Sequence, residues 1–141
     1  MLLGLGHIDL VCTDVERSLA FYRRVLGPLG LGNEAVFEGE RGESIHYLRF
    51  PRPGSGSIGL RQAFEEQTFD LYAPGLHHVA FAVDSPSDVD AAHAGAVALD
   101  AEILHAPREF PQYRPDYYAT FFLDPDRFRV EVATARDARQ T

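Results

Sequence analysis

Two stretches of the chain, half its length apart, follow one plan. His7-Ile8-Asp9-Leu10-Val11-Cys12-Thr13-Asp14 and His78-Val79-Ala80-Phe81-Ala82-Val83-Asp84-Ser85 each open on histidine, run on as a short apolar strand and end on a residue suited to cap a helix. Self-similarity of this kind constrains a fold more than any local propensity. A chain of 141 residues has the length of about one ordinary domain, so it cannot hold two independent cores. The duplication therefore predicts a single domain over 1–141 built from two like modules, about 4–63 and 76–134.

Within each module the spacing predicts the same elements. After the first strand, Val15, Leu19, Tyr22 and Leu26 recur at helical spacing, with Asp14 as N-cap and Gly27 placed to stop a helix over 14–26. After the second, Val89, Ala92, Ala96 and Leu99 repeat that spacing behind Ser85, with Pro86 at the first helical position, where a missing N–H costs little. Segments suited to antiparallel strands follow: 33–38, 44–50 and 57–62, then 102–105, 117–123 and 128–133. The fold class is thus α+β, βαβββ twice. The segment 64–75 reads as the connection between halves, and 108–115, around Tyr113, as an ordered excursion beside a pocket.

Charge narrows the partners. The formal net charge is −8 and the Lys and Arg residues form no run, so nucleic acid and anionic membranes are disfavoured. No basic leader precedes His7 and no stretch has the length of a membrane span, which makes the cytoplasm the expected location. The lone Cys12 can form no intrachain disulfide, in keeping with a reducing compartment.

Strand alternation then selects side chains. His7, Asp9 and Val11 share one face of the first strand, and Ile8, Leu10 and Cys12 suit a core beneath the helix. His78, Ala80 and Ala82 occupy the matching places, while parity turns the neighbouring His77 toward the core side. In the last strand Phe128, Val130 and Val132 form the apolar set, which sends Glu131 to the face of the histidines. Two imidazoles and one carboxylate bind a divalent first-row ion and leave positions open for substrate oxygens or water. Asp9 reads as a general base, as an acceptor behind the metal ligands, or as a solvated strand carboxylate. Tyr117 and Phe121 would share the face of Glu131, and Tyr113, Arg114, His46 and His105 stand as candidates for the rim. Each of these four also reads as an ordinary loop or edge residue, and His93 as a surface residue of the second helix.

Gly6-His7-Ile8, the helix Ser18-Leu19-Ala20-Phe21-Tyr22 leading to Val25-Leu26-Gly27, His78-Val79-Ala80-Phe81-Ala82-Val83, and Phe122-Leu123-Asp124-Pro125-Asp126 running into Val130-Glu131-Val132 carry a family resemblance. The chain is similar, from about Leu5 to Ala133, to the vicinal oxygen chelate superfamily of glyoxalases, bleomycin-resistance proteins and extradiol dioxygenases. The resemblance implies a paired half-barrel, a homodimer, and a metal held by His7, His78 and Glu131, whether Mn, Fe, Ni, Zn or Mg. Departures narrow the chemistry. Glyoxalase I enzymes have a fourth ligand, a glutamate, on the last strand of the first half, where Gly59 stands here, which argues against a methylglyoxal-glutathione lyase. Fosfomycin-modifying relatives carry a hydroxyl residue and a tyrosine where this chain has Asp9 and Phe121, which argues against a phosphonate substrate. Arg127 replaces the glycine that relatives carry after Asp-Pro-Asp.

The expected function is a metal-dependent enzyme on a small molecule with two neighbouring oxygens, through lyase, isomerase or dioxygenase chemistry. Glu131 and Asp9 would be catalytic, and Tyr113, Tyr117 and Phe121 would contact substrate. The alternative is a non-catalytic protein of the bleomycin-resistance type that sequesters an antibiotic or aromatic metabolite on its aromatic side chains.

Overall fold

A computed structural model describes residues 1–135, save for the side chain of Asn33; the end of the expected domain, 136–141, lies outside the described residues. The elements are β1 (His7–Cys12), α1 (Val15–Leu26), a 3-10 turn (Gly27–Leu29), β2 (Gly32–Glu38), β3 (Ser44–Arg49), β4 (Ser57–Gln62), β5 (Val79–Val83), α2 (Pro86–Ala98), β6 (Ile103–Glu109), β7 (Tyr118–Leu123) and β8 (Arg129–Thr134). This is βαβββ twice, in two compact units, Met1–Thr68 and a second from Phe69 onward. Among the described residues no helix is long and apolar enough to cross a membrane.

The sheet of the first unit runs β1-β4-β3-β2 and that of the second β5-β8-β7-β6. In each, the first and last strands pair in parallel, and the remaining pairs are antiparallel. Closing the module this way sets β1 beside β4 and β5 beside β8. Residues distant in sequence thereby become neighbours on one face.

One face of each sheet is covered by its helix. In α1 the Asp14 side chain accepts from Arg17 N, which satisfies one free N–H of the first turn, and Val15, Leu19, Tyr22, Val25 and Leu26 are buried. They pack over Leu10, Cys12, Leu48, Ile58 and Leu60. In α2 Ser85 caps the Asp88 N–H, Pro86 opens the helix, and the buried set Val89, Ala92, Gly95 and Ala96 is small, which lets the helix lie close to Phe81, Phe122, Val130 and Val132.

α1 ends at Leu26 with Gly27 as its C-cap, as expected; the chain then tightens into the 3-10 turn, and Gly30, at φ 103°, makes the reversal. Two expectations need correction. β6 continues to Glu109, past Pro107 and into the expected excursion, by way of two register shifts against β7. Proline is tolerated there because β6 is an edge strand. β5 begins at Val79, so His78 stands just before the strand, and His77 is exposed, not turned toward the core. Arg127 itself adopts the left-handed conformation, at φ 67°, so the last turn keeps a shape that glycine would take without strain.

Candidate functional site

The face of each sheet that no helix covers carries a carboxylate bound by a tyrosine hydroxyl. In the second unit, β8 directs Glu131 to this face, directly across from Ala80 on β5 and Phe121 on β7. Glu131 is buried, at 4% exposure. The Tyr117 hydroxyl donates to its Oε1, and His78 Nε2 lies 3.2 Å from its Oε2. Burial first, and then the hydrogen bond and charge of Glu131, raise the Tyr117 phenol well above its ordinary value, so it remains a donor throughout the physiological range. Among the described residues no Lys or Arg pairs with Glu131.

An apolar wall adjoins it. Phe110, Ala119, Phe121 and Ala133 are buried together, with Leu104 and Tyr117 against them. Tyr113 stacks on Phe110 and meets Tyr117 edge to face. His105 packs on Phe110 and Phe121, and the Arg114 guanidinium lies over Tyr117 and donates to the Thr134 carbonyl. The structure thus gathers Glu131, His78, Tyr117, Phe121 and Tyr113, with His105 and Arg114, in one unit.

In the first unit the uncovered face holds His7, Asp9, Tyr47 and Arg61. Tyr47 donates to Asp9 Oδ2 at 3.0 Å, and Arg61 Nε approaches the same oxygen to 2.9 Å as an ion pair without hydrogen-bond alignment. Arg61 also donates to Glu43, and the Tyr47 ring meets His7 edge to face. Asp9 Oδ1 is buried and accepts no hydrogen bond. Gly59 pairs with both Asp9 and Tyr47, and a Cβ there would overlap their side chains. The space above Gly59 is therefore filled by the Asp9–Tyr47 pair.

Of the two readings open for His46 the structure supports the ordinary one: it lies on the side of its sheet that α1 covers, where its Nδ1 meets Glu34, also bound by Arg23 of α1. One expectation fails. His93 is half-buried, not superficial, and its Nδ1 has no partner. Tyr47, Arg61 and Glu43 had not been foreseen; alternation along β3 and β4 places Tyr47 and Arg61 on the face of Asp9 once β4 is known to pair with β1. His7 belongs to the first unit, and among the described residues no three His, Cys, Asp or Glu side chains stand close enough together to hold an ion. His78 and Glu131 are the two candidate ligands that a single unit assembles.

The family model of the Glyoxalase/Bleomycin resistance protein/Dioxygenase superfamily matches residues 4–132. The chain belongs to that superfamily. It is 27% identical to Glyoxylase I 4 of Arabidopsis thaliana, over 93% of this chain and 70% of that one. A glyoxylase/bleomycin resistance protein/dioxygenase domain from Frankia sp. EAN1pec superposes with a TM-score of 0.79 at 26% identity, over 96% of this chain and all of the other. The fosfomycin resistance protein FosX of Listeria monocytogenes, solved with Mn(II) and sulfate, gives a TM-score of 0.63 at 19% identity, over 96% and 95% of the two chains, a likeness of fold.

Proposed function

We propose that this chain is a divalent-metal-dependent enzyme acting on a small molecule with two neighbouring oxygens, with His7, His78 and Glu131 as the protein ligands. One observation carries the reading. A carboxylate buried in a largely apolar surface is costly unless a cation answers it, and among the described residues Glu131 meets a phenol and an imidazole and no Lys or Arg. The duplicated register sharpens this: Gly59 in the first unit matches Glu131, so Arg61 matches Ala133. Where the first unit supplies its own cation, the second has a methyl group.

The donor set suits Mn, Fe, Ni, Zn or Mg, and FosX of Listeria monocytogenes supports a first-row ion on this fold. Bound there, such an ion would polarise substrate oxygens and stabilise negative charge developing on them. The chain's own residues prepare the rest. Tyr117 occupies Glu131 Oε1 and leaves Oε2 toward His78. Phe121, Phe110 and Tyr113 exclude water from one side of the carboxylate and offer ring faces to a planar substrate. Asp9 has Oδ2 engaged by Tyr47 and Arg61 and Oδ1 buried against Gly59, so a role as general base would need that pairing to loosen. With Gly59 in place of a fourth ligand, lyase, isomerase or dioxygenase chemistry on a substrate other than the methylglyoxal-glutathione adduct fits best.

Protein purified without chelators should carry a stoichiometric divalent ion by elemental mass spectrometry, lost in both His7→Ala and Glu131→Gln. Absence of any ion, together with unchanged ligand binding in His7→Ala, overturns the proposal. Tight binding of an aromatic ligand that survives removal of the ion, without turnover, would point instead to a sequestering protein.

A further inference from the structure

We infer that His77 is a positioning residue that sets the ring orientation and tautomer of His78. The two imidazoles are sequence neighbours, yet they do not diverge as alternation along a strand would require, because β5 begins only at Val79. Nδ1 of His77 lies 2.8 Å from Nδ1 of His78, with the rings nearly perpendicular, at 83° and 5.0 Å between centroids. His77 is itself steadied by the Tyr72 ring, edge to face at 5.3 Å. The other end of His78 is also engaged, Nε2 toward Glu131. His78 is thus gripped at both ring nitrogens, and flipping the ring would forfeit both contacts.

A short nitrogen–nitrogen contact needs one proton between the two atoms. With Nε2–H of a neutral His78 turned to Glu131, the donor in this contact is His77 Nδ1–H and the acceptor His78 Nδ1. For His78 to offer a lone pair at Nε2, its proton must sit on Nδ1, and His77 Nδ1 must then be the acceptor. An imidazole serves as either donor or acceptor at that atom by exchanging its own tautomer, with no change in proton count. A carboxylate could only accept, and an ammonium could only donate. Partners of this kind fix the ring of a metal-binding histidine, and their loss typically weakens metal affinity by about 10–100-fold. The consequence for metal rests on the function proposed above; the orientation of His78 does not.

The test uses the full chain and three proteins: wild type, His77→Phe, which keeps a ring against Tyr72 but removes the hydrogen bond, and His77→Asn, which keeps a side chain able to donate or accept. Long-range 1H–15N NMR of the metal-free proteins at one pH reads the His78 tautomer directly. The expected result is a single Nε2–H tautomer in wild type and His77→Asn, and a mixture in His77→Phe. An unchanged His78 spectrum in His77→Phe overturns the inference, whether or not the chain binds metal. Mn(II) titration followed by electron paramagnetic resonance then gives the second reading. About tenfold or greater weakening in His77→Phe, largely restored in His77→Asn, supports it. Wild-type affinity in His77→Phe overturns it while leaving the metal proposal standing. Failure of wild type to bind Mn(II), Zn(II) or Ni(II) removes the metal proposal and leaves the tautomer measurement to decide the inference.

Discussion

On the uncovered face of each unit a strand carboxylate stands at a matched place in the register, but on a different strand. In the first unit it is Asp9, on the opening strand, across from Gly59; in the second it is Glu131, on the closing strand, across from Ala80. Each accepts a tyrosine hydroxyl, Tyr47 or Tyr117. The difference is the cation. Arg61 bridges Asp9 and Glu43, whereas Ala133 stands at the equivalent place beside Glu131. One copy of the module is electrostatically closed and the other is left open, so a repeated fold need not repeat its chemistry.

The harshest trial of this contrast removes one member from each side. Arg61→Met should cost about 2 kcal/mol in urea unfolding, the penalty for breaking a buried pair being reduced because the guanidinium is partly exposed. Glu131→Gln should shift the metal-free stability by less than about 1 kcal/mol, since the amide still accepts from Tyr117 and no opposing Lys or Arg is stranded. Equal losses in the two variants would erase the distinction.

A smaller effect is expected at Gly59. Gly59→Ala must displace Asp9 or Tyr47 and should cost about 1–2 kcal/mol. Asp9→Ala in the same chain should recover much of that loss, because the two positions share one space. Additive losses in the double variant would mean that the glycine serves some other purpose.

The two tyrosines separate the units by pH. Burial leads the upward shift in both, followed by the hydrogen bond and charge of the carboxylate, and the shift is the stronger for Tyr117. A phenol raised in the folded state holds its proton more tightly there. Its contribution is complete below the unfolded value of 10.0 and is lost as pH climbs from there toward the folded value. Chemical unfolding at pH 8 and pH 11 should show this alkaline loss reduced more by Tyr117→Phe than by Tyr47→Phe. The reverse order would mean that Asp9, not Glu131, sits in the drier surroundings.

The smallest expected change concerns the turn before each closing strand. The first unit uses Gly54 and Gly56 at positive φ, and the second uses Arg127 at φ 67°. Arg127→Gly should raise stability by about 0.5 kcal/mol, relief of strain outweighing the entropy of a new glycine. The exposed ion pair to Glu102 offsets little of that. A lower melting temperature in Arg127→Gly would show that the arginine is held there by more than its backbone.

The module plan was legible because it rests on two strong local signals: helical spacing behind Asp14 and Ser85, and alternation in β1 and β8. Alternation alone put Glu131, Phe121 and the residue beside β7, Tyr117, on one face, and the structure agrees. Three kinds of information escaped. Register shifts in β6 depend on its partner, so local spacing alone ends the strand at 105. The Asp9–Tyr47–Arg61 group needs the parallel pairing of β1 with β4, which no local spacing announces. The contact of His77 with His78 escaped because alternation was extended one residue beyond the strand that obeys it.

β6 shows what its irregularity does for the sheet it borders. Two interruptions and a proline leave its outer row of N–H and C=O groups uneven, so an incoming strand would meet gaps where an even ladder of partners is required. The same bulges that let the strand pass Pro107 also guard this rim against runaway growth, with the charged Arg108 and Glu109 at its far end.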